Sequence, residues 1–144
     1  DQRYENVVVM AMELSDGSMV TGRSSRRMVA AAACVLNAIK KLSHIGDDIP
    51  LISPTILESI QHLKTEILSQ DRSSLNLEEI LGALVISSHT NPAAELAAQK
   101  LGEVRSLRAH CTAILSDRDE QTLRALGVDV TSDPEYVTTN LYFS

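Results

Sequence analysis

Aromatic side chains are almost missing from this 144-residue chain: it has no tryptophan, and its four aromatics, Tyr4, Tyr136, Tyr142 and Phe143, all lie near the ends. Residues 5–135 must therefore pack with aliphatics, Met and Ala, and they offer neither a platform on which a base could stack nor a cage for an organic cation. Cysteine is as scarce. Cys34 and Cys111 have neither the number nor the spacing of a disulfide framework or a metal knuckle, which points to a reduced, cytoplasmic setting. No apolar run approaches the ~20 residues that span a bilayer, and no signal-like segment is present, so no membrane partner is expected. Positive charge is also short. The formal net charge is −6, with eight Lys/Arg against nine Asp/Glu in the first 72 residues and five against ten in the second 72. That balance excludes a DNA-wrapping surface, and no nucleic-acid partner is expected. The sequence contains no Walker-type phosphate loop, dinucleotide glycine fingerprint, Gly-x-Ser-x-Gly elbow or His-Glu-x-x-His pair, so no cofactor, metal or catalytic residue is assigned.

What the chain does have is one basic stretch. Between Gly17 and Gly46 there are five Lys/Arg (Arg23, Arg26, Arg27, Lys40, Lys41) and no carboxylate. Thr21, Gly22, Arg23, Ser24, Ser25 and Arg26, followed by Arg27, fall where a hairpin hands over to a long Ala-rich helix. Helix N–H groups, hydroxyls and guanidinium forks all suit an oxyanion, so this run is the candidate anion site. The bland alternative is a helix start whose arginines are solvated or pair with the acidic second half.

The 144 residues suffice for one domain that buries roughly 70% of its unfolded surface. Val7 to Leu14 reads as a strand buried on both faces, and Asp16-Gly17 turns it back into Met19 to Thr21. The helix pattern from Met28 to Leu42 is closed by Gly46. A short strand is expected at Ile49 to Ile52, then a helix from Pro54 to Ser69, capped by Ser53. Leu77 to Val85 has helical spacing behind a possible Asn76 cap, although Ala83 to Ser87 alone has strand composition. Asn91-Pro92 starts another helix, Ala93 to Val104. Ala109 to Leu115 alternates like a strand, Asp117 and Glu120 resemble a capping box for a helix ending at Gly127, and Val128 to Thr131 closes a β-α-β unit. The expected fold class is α/β: a small mixed sheet with helices packed on it, layered α/β/α. Its element order is similar to the cytidine deaminase topology, but without the zinc site, because the His/Cys-x-Glu and Pro-Cys-x-x-Cys signatures do not occur. Residues 1–136 read as one domain and 137–144 as a tail. The absent initiator Met suggests a piece of a longer chain.

Two further groupings call for weighing. Ser87, Ser88, His89, Thr90 and Asn91 form a secondary polar cluster at an element end, but these are also the residues that helix ends and turns demand. His110 and Cys111 are adjacent in a strand and so point to opposite faces, which argues against a Cys/His nucleophile pair.

Val20-Thr21-Gly22-Arg23, Leu36-Asn37-Ala38-Ile39-Lys40, Ile52-Ser53-Pro54, Thr90-Asn91-Pro92, His110, Ile114-Leu115-Ser116 and Leu126-Gly127, taken as a set, resemble the C-terminal domain of an uncharacterised bacterial family. This is the domain-of-unknown-function family numbered one-eight-four-six. The resemblance implies a domain of a longer protein whose upstream part carries a Gly-rich, Lys-containing loop suited to phosphate. It implies a Lys or Arg after Thr21-Gly22, which Arg23 supplies, whereas Arg26 and Arg27 lie outside the shared pattern. Some members carry the label ATP-dependent peptidase. Asn140 to Ser144 resembles the remnant of a protease-cleavable tag, without the Gln such a site needs.

Three readings follow, in this order. The first is a non-catalytic accessory or assembly domain of a larger cytoplasmic protein, partnered by its upstream domain and by further copies of itself. The second is an anion half-site for a phosphorylated metabolite or nucleotide, completed upstream. The third is part of a peptidase with a Ser nucleophile activated by Lys or His.

Overall fold

The computed structural model describes residues 7–134; the four aromatics and the tail from 137 lie outside that span. Four strands form one mixed sheet in the order β2-β1-β3-β4: β1 (Val9–Glu13), β2 (Met19–Arg23), β3 (Arg108–Cys111) and β4 (Asp129–Ser132). Strand β1 is antiparallel to both β2 and β3, and β4 runs parallel to β3. Five α-helices accompany the sheet: α1 (Ala30–Leu42), α2 (Pro54–His62), α3 (Leu77–Ser87), α4 (Pro92–Ala98) and α5 (Asp117–Leu126). This is the expected small α/β fold, and the hairpin, the long helix and the β3-α5-β4 unit follow one another as the sequence implies.

The sheet is not buried on both faces as the apolar run of β1 suggests. Met10, Met12, Val20, Ala109 and Cys111 are buried, while Met19, Thr21, Arg23, Arg108, His110 and Thr131 on the alternate positions are exposed. Val9 and Ala11, on that second face, are only half-buried. The period-2 pleat therefore sends one set of side chains towards the helices and leaves the other uncovered by the described residues.

Helix α1 is the central element, with Ala30, Ala31, Ala32, Cys34, Val35, Ala38 and Ile39 all buried. Its small residues let it lie directly on β2. A Cβ added at Gly22 would sit 2.1 Å from the backbone nitrogen of Cys34. Gly22 is thus a packing residue, there because α1 crosses the strand at backbone contact. On the far side of α1, the fully buried Leu77, Ile80 and Leu84 of α3 complete the core.

The helix starts follow side-chain caps. Ser53, Asn76, Asn91 and Ser116 each accept a first-turn N–H, and Asn76 and Glu79 form a reciprocal capping box. Ala83 to Ser87 is helical, the reading that the spacing from Leu77 favours, and Asn76 caps that helix. Other expectations change. The cap of α5 is Ser116, not Asp117. Leu51 and Ile52 are buried but form no strand; Pro50 lacks an N–H for a ladder, and the Nδ2 of Asn91 donates to the carbonyls of Pro50 and Leu51 instead. Helix α2 relaxes at its end into a π turn over Leu63–Ile67.

Candidate functional site

Since β1 is antiparallel to both neighbours, β2 and β3 end at the same edge of the sheet. There the chain leaves by separate routes, through Ser24 into α1 and through Thr112 into α5. Crevices outside the carboxyl ends of strands, where neighbouring connections diverge, are where open α/β sheets bind ligands.

The residues between β2 and α1 build one wall. The Ser24 N–H donates to the Val8 carbonyl at 2.8 Å, and the Val8 N–H donates to Ser24 Oγ at 2.9 Å. Ser25 Oγ accepts from the N–H groups of Arg27 and Met28, a serine turn that reverses the chain. The second wall comes from far along the sequence. Leu75 donates its N–H to the Arg27 carbonyl at 2.8 Å and accepts from the Val29 N–H at 3.0 Å, which staples the loop carrying Arg72, Ser73 and Ser74 beside the turn. Gln61 Nε2 spans both walls, donating to the carbonyls of Arg26 and Ser73. Lys64 fixes the loop from beneath: its buried ammonium donates to the Ser74 carbonyl at 2.7 Å and to Glu79 Oε1 at 2.8 Å.

Between these walls lies a cleft of about 410 Å³ lined by Ser24, Ser25, Arg26, Arg72, Ser73 and Ser74, with Val7 at its end. A smaller recess of about 120 Å³ continues inward past Ser24, Ser25, Arg72 and Ser74 to Met28, Ala30, Ala31, Cys111 and Asp119. The outer part carries two guanidinium groups and hydroxyl donors with no lining carboxylate, so it is matched to an anion. The inner part is mainly apolar. Its Asp119, which accepts the buried Leu77 N–H at 2.9 Å, keeps negative groups at the outer end.

The first turn of α1 borders this recess. The helix begins at Ala30 rather than at the Ser/Arg run, and its N-cap is Val29, which has no side-chain acceptor. The other four α-helices among the described residues are capped by side chains, so of these five only α1 has uncapped first-turn donors, on buried Ala30, Ala31 and Ala32.

The sequence-derived candidates divide. Ser24, Ser25 and Arg26 meet in the cleft. Thr21 and Arg23 are exposed on the uncovered face of the sheet, and Gly22 is buried under α1. The Thr21 carbonyl accepts from Asn37 Nδ2 at 2.8 Å. Arg27 points elsewhere, 3.7 Å from Glu58. Arg72 and Ser74 escaped the sequence reading. Their only signal was a polar loop, and nothing local announces its pairing with the turn at Met28.

The secondary polar cluster makes the hydrogen bonds of a helix end. Ser88 Oγ donates back to the Val85 carbonyl, the N–H groups of Thr90 and Asn91 reach the Ser87 carbonyl, and that of His89 reaches the Ile86 carbonyl. Asn91 caps α4 as well as holding Pro50 and Leu51. Asn91→Ala is accordingly expected to cost about 1–2 kcal/mol in urea unfolding.

Residues 1–142 match the family described as "Domain of unknown function DUF1846, C-terminal". The chain belongs to the DUF1846 C-terminal family. Among curated relatives of this DUF1846 domain is a UPF0371 protein of Clostridium botulinum (strain Alaska E43 / Type E3), 53% identical over 136 residues, which are 94% of this chain and 27% of the relative. Another, from Clostridium botulinum (strain Langeland / NCTC 10281 / Type F), is 49% identical over 142 residues, 99% of this chain and 28% of the relative. A UPF0371 protein of Clostridioides difficile (strain 630) is 52% identical over 136 residues, 94% of this chain and 27% of the relative. The chain thus spans about a quarter of the length of the relatives it matches.

Elsewhere in this DUF1846 domain, the register pairs His110 with Thr131. The His110 Nδ1 lies 2.7 Å from Thr131 Oγ1 and Nε2 lies 2.8 Å from Asp133 Oδ1, a chain that sequence spacing does not reveal. It stands half-exposed on the uncovered sheet face and lines none of the cavities described here. Both cysteines are buried, and burial pushes both thiols up, that of Cys34 to about 12. Neither is expected to react with a disulfide reagent at pH 8 until urea is added. The raised pKa also gives a sign: the stability from a neutral Cys34 is fully present below the unfolded value of 9.0 and is lost as pH rises towards 12.

Among the described residues no helix is long and apolar enough to cross a membrane, and no cluster of His, Cys, Asp and Glu could hold a metal ion.

Proposed function

We propose that this domain is a non-catalytic module of a longer cytoplasmic protein, and that its cleft supplies an anion half-site for a phosphorylated metabolite or nucleotide. The observation that carries the reading is the meeting of Arg26 and Arg72 with four serines outside the ends of β2 and β3. Two guanidinium forks and hydroxyl donors suit a phosphoryl group, and the uncapped start of α1 adds partial positive charge at the inner wall. An exposed outer cleft of this kind binds weakly alone, so the rest of the protein completes it by covering the ligand and excluding water. A non-catalytic role fits the hydrogen bonding of the serines: among the described residues none has a Lys or His side chain as its hydroxyl's partner. No observation favours the peptidase reading.

The test is calorimetric titration of the full-length protein and of this chain with pyrophosphate and with a nucleoside triphosphate. Binding to the full-length protein that is weakened but retained in this chain supports the half-site. A full-length protein that binds neither removes it.

A further inference from the structure

A second cavity, of about 310 Å³, lies on the other side of the Ser24–Met28 turn, between α1 and the segment from Pro50 to Leu57. Its walls are mostly apolar, formed by Met28, Leu36, Leu51, Ile52 and Leu57. Four polar side chains also line it, the exposed Ser25, Arg27 and Asn37 and the buried Lys40. Lys40 is 92% buried by its 8% exposure, and its Nζ donates to one acceptor, the Asp47 carbonyl at 2.9 Å. Among the described residues no carboxylate lies within the 4.0 Å of an ion pair to it. The other buried lysine, Lys64, has both a carbonyl and Glu79. Burying an ammonium is costly unless an anion and further acceptors compensate it, and the C-terminal end of α1 with one carbonyl offsets only part of that cost.

From the buried, unneutralised Lys40 in a preformed apolar cavity we infer a binding site for a small monocarboxylic acid with an aliphatic body. The carboxylate supplies the missing counter-charge and takes the unused N–H donors of Lys40, and the hydrocarbon fills the space against Leu36, Ile52 and Leu57. A cavity of this size sits at the lower end of the range for small-molecule sites, mainly apolar with few polar anchors. One ammonium matches one negative charge, which selects a carboxylate over a phosphate monoester of nearly two. Arg27 at the rim is already engaged with Glu58. This site shares only Ser25 with the lining of the cleft and does not depend on the reading given above.

The experiment titrates the chain with butyrate, hexanoate and octanoate and with their primary amides, followed by backbone amide shifts. The acids are expected to bind about ten- to a hundredfold more tightly than the amides, because a charged hydrogen-bond partner is lost in the amide. Affinity should rise about fourfold per added CH₂ until the cavity is full. The shifts should centre on Leu51, Ile52, Leu57 and the α1 face carrying Leu36. Lys40→Met, which keeps the apolar stem and is expected to fold, should abolish the preference for acid over amide, and Lys40→Arg should retain it. Equal binding of acids and amides to the natural chain, no binding of any acid, a preference that survives Lys40→Met, or shifts centred away from this cavity would overturn the proposal. Pyrophosphate binding at the cleft, or its absence, leaves this result unchanged.

Discussion

Replacing Gly22 by alanine should destabilise the domain by about 3 kcal/mol or more, the upper range for an overpacked contact. On a domain of this size that lowers Tm by about 10 °C. The new Cβ would lie 2.1 Å from Cys34 N, 2.6 Å from Ala33 C and 2.6 Å from Cys34 Cα. All three are backbone atoms in the middle of α1, so no rotamer change relieves the clash. The helix must lift from β2, and the Met10, Met12 and Val20 side chains beneath it lose their packing. Gly82 in α3 is the control. Nothing lies within 4 Å of a Cβ built there, so Gly82→Ala should be neutral or stabilise by up to about 1 kcal/mol through helix propensity. Thermal unfolding of the two variants side by side reads the difference.

The second large effect falls on binding. Arg26→Ala with Arg72→Ala should weaken pyrophosphate binding by about tenfold to a hundredfold, the loss of two charge-assisted contacts discounted for an open cleft. Arg23→Ala should leave it within about twofold, because its side chain projects from the other face of the sheet and its charge is screened by salt. The contrast separates two accounts of the basic stretch. A site read from the linear run alone would make Arg23 and Arg26 equivalent. Both are exposed, but the pleat of β2 turns Arg23 to the uncovered sheet face, whereas Arg26, beyond the strand end, lines the cleft together with Arg72. Calorimetry at low and moderate salt measures both variants, and the salt slope should fall with the double substitution.

Where local chemistry decides, the sequence was readable. Asp16-Gly17 makes the hairpin, with Gly17 at φ 86°, and Ser53-Pro54, Asn76 with Glu79, Asn91-Pro92 and the Gly127 that follows α5 mark helix limits by hydrogen-bonding rules that act within a turn. Two features resisted. The start of α1 carries no signal because Val29 cannot cap, and the same deficiency that hid it leaves the helix N–H groups open at the recess. The burial of Leu51 and Ile52 resembled a strand because apolar composition reports burial, not pairing, and it is Asn91, far along the chain, that holds that backbone. The candidate site was half legible for the same reason. Ser24, Ser25 and Arg26 are contiguous, whereas Arg72 and Ser74 reach them only through the bridge between Met28 and Leu75, a tertiary contact with no periodicity to announce it. The resemblance stated from motifs reached the family, but it placed its weight on Thr21-Gly22-Arg23, where the structure shows a close helix crossing and an exposed side chain.

The cleft as an anion half-site is tested most directly by backbone amide shifts during a pyrophosphate titration of this chain. The account predicts that the largest shifts fall on Ser24, Ser25, Ser74 and the first-turn amides of Ala30 and Ala31, and that they shrink as salt is raised. Shifts confined to Thr21 and Arg23 on the opposite face, or no saturable shift at Ser24, Ser25 and Ala30, would contradict it.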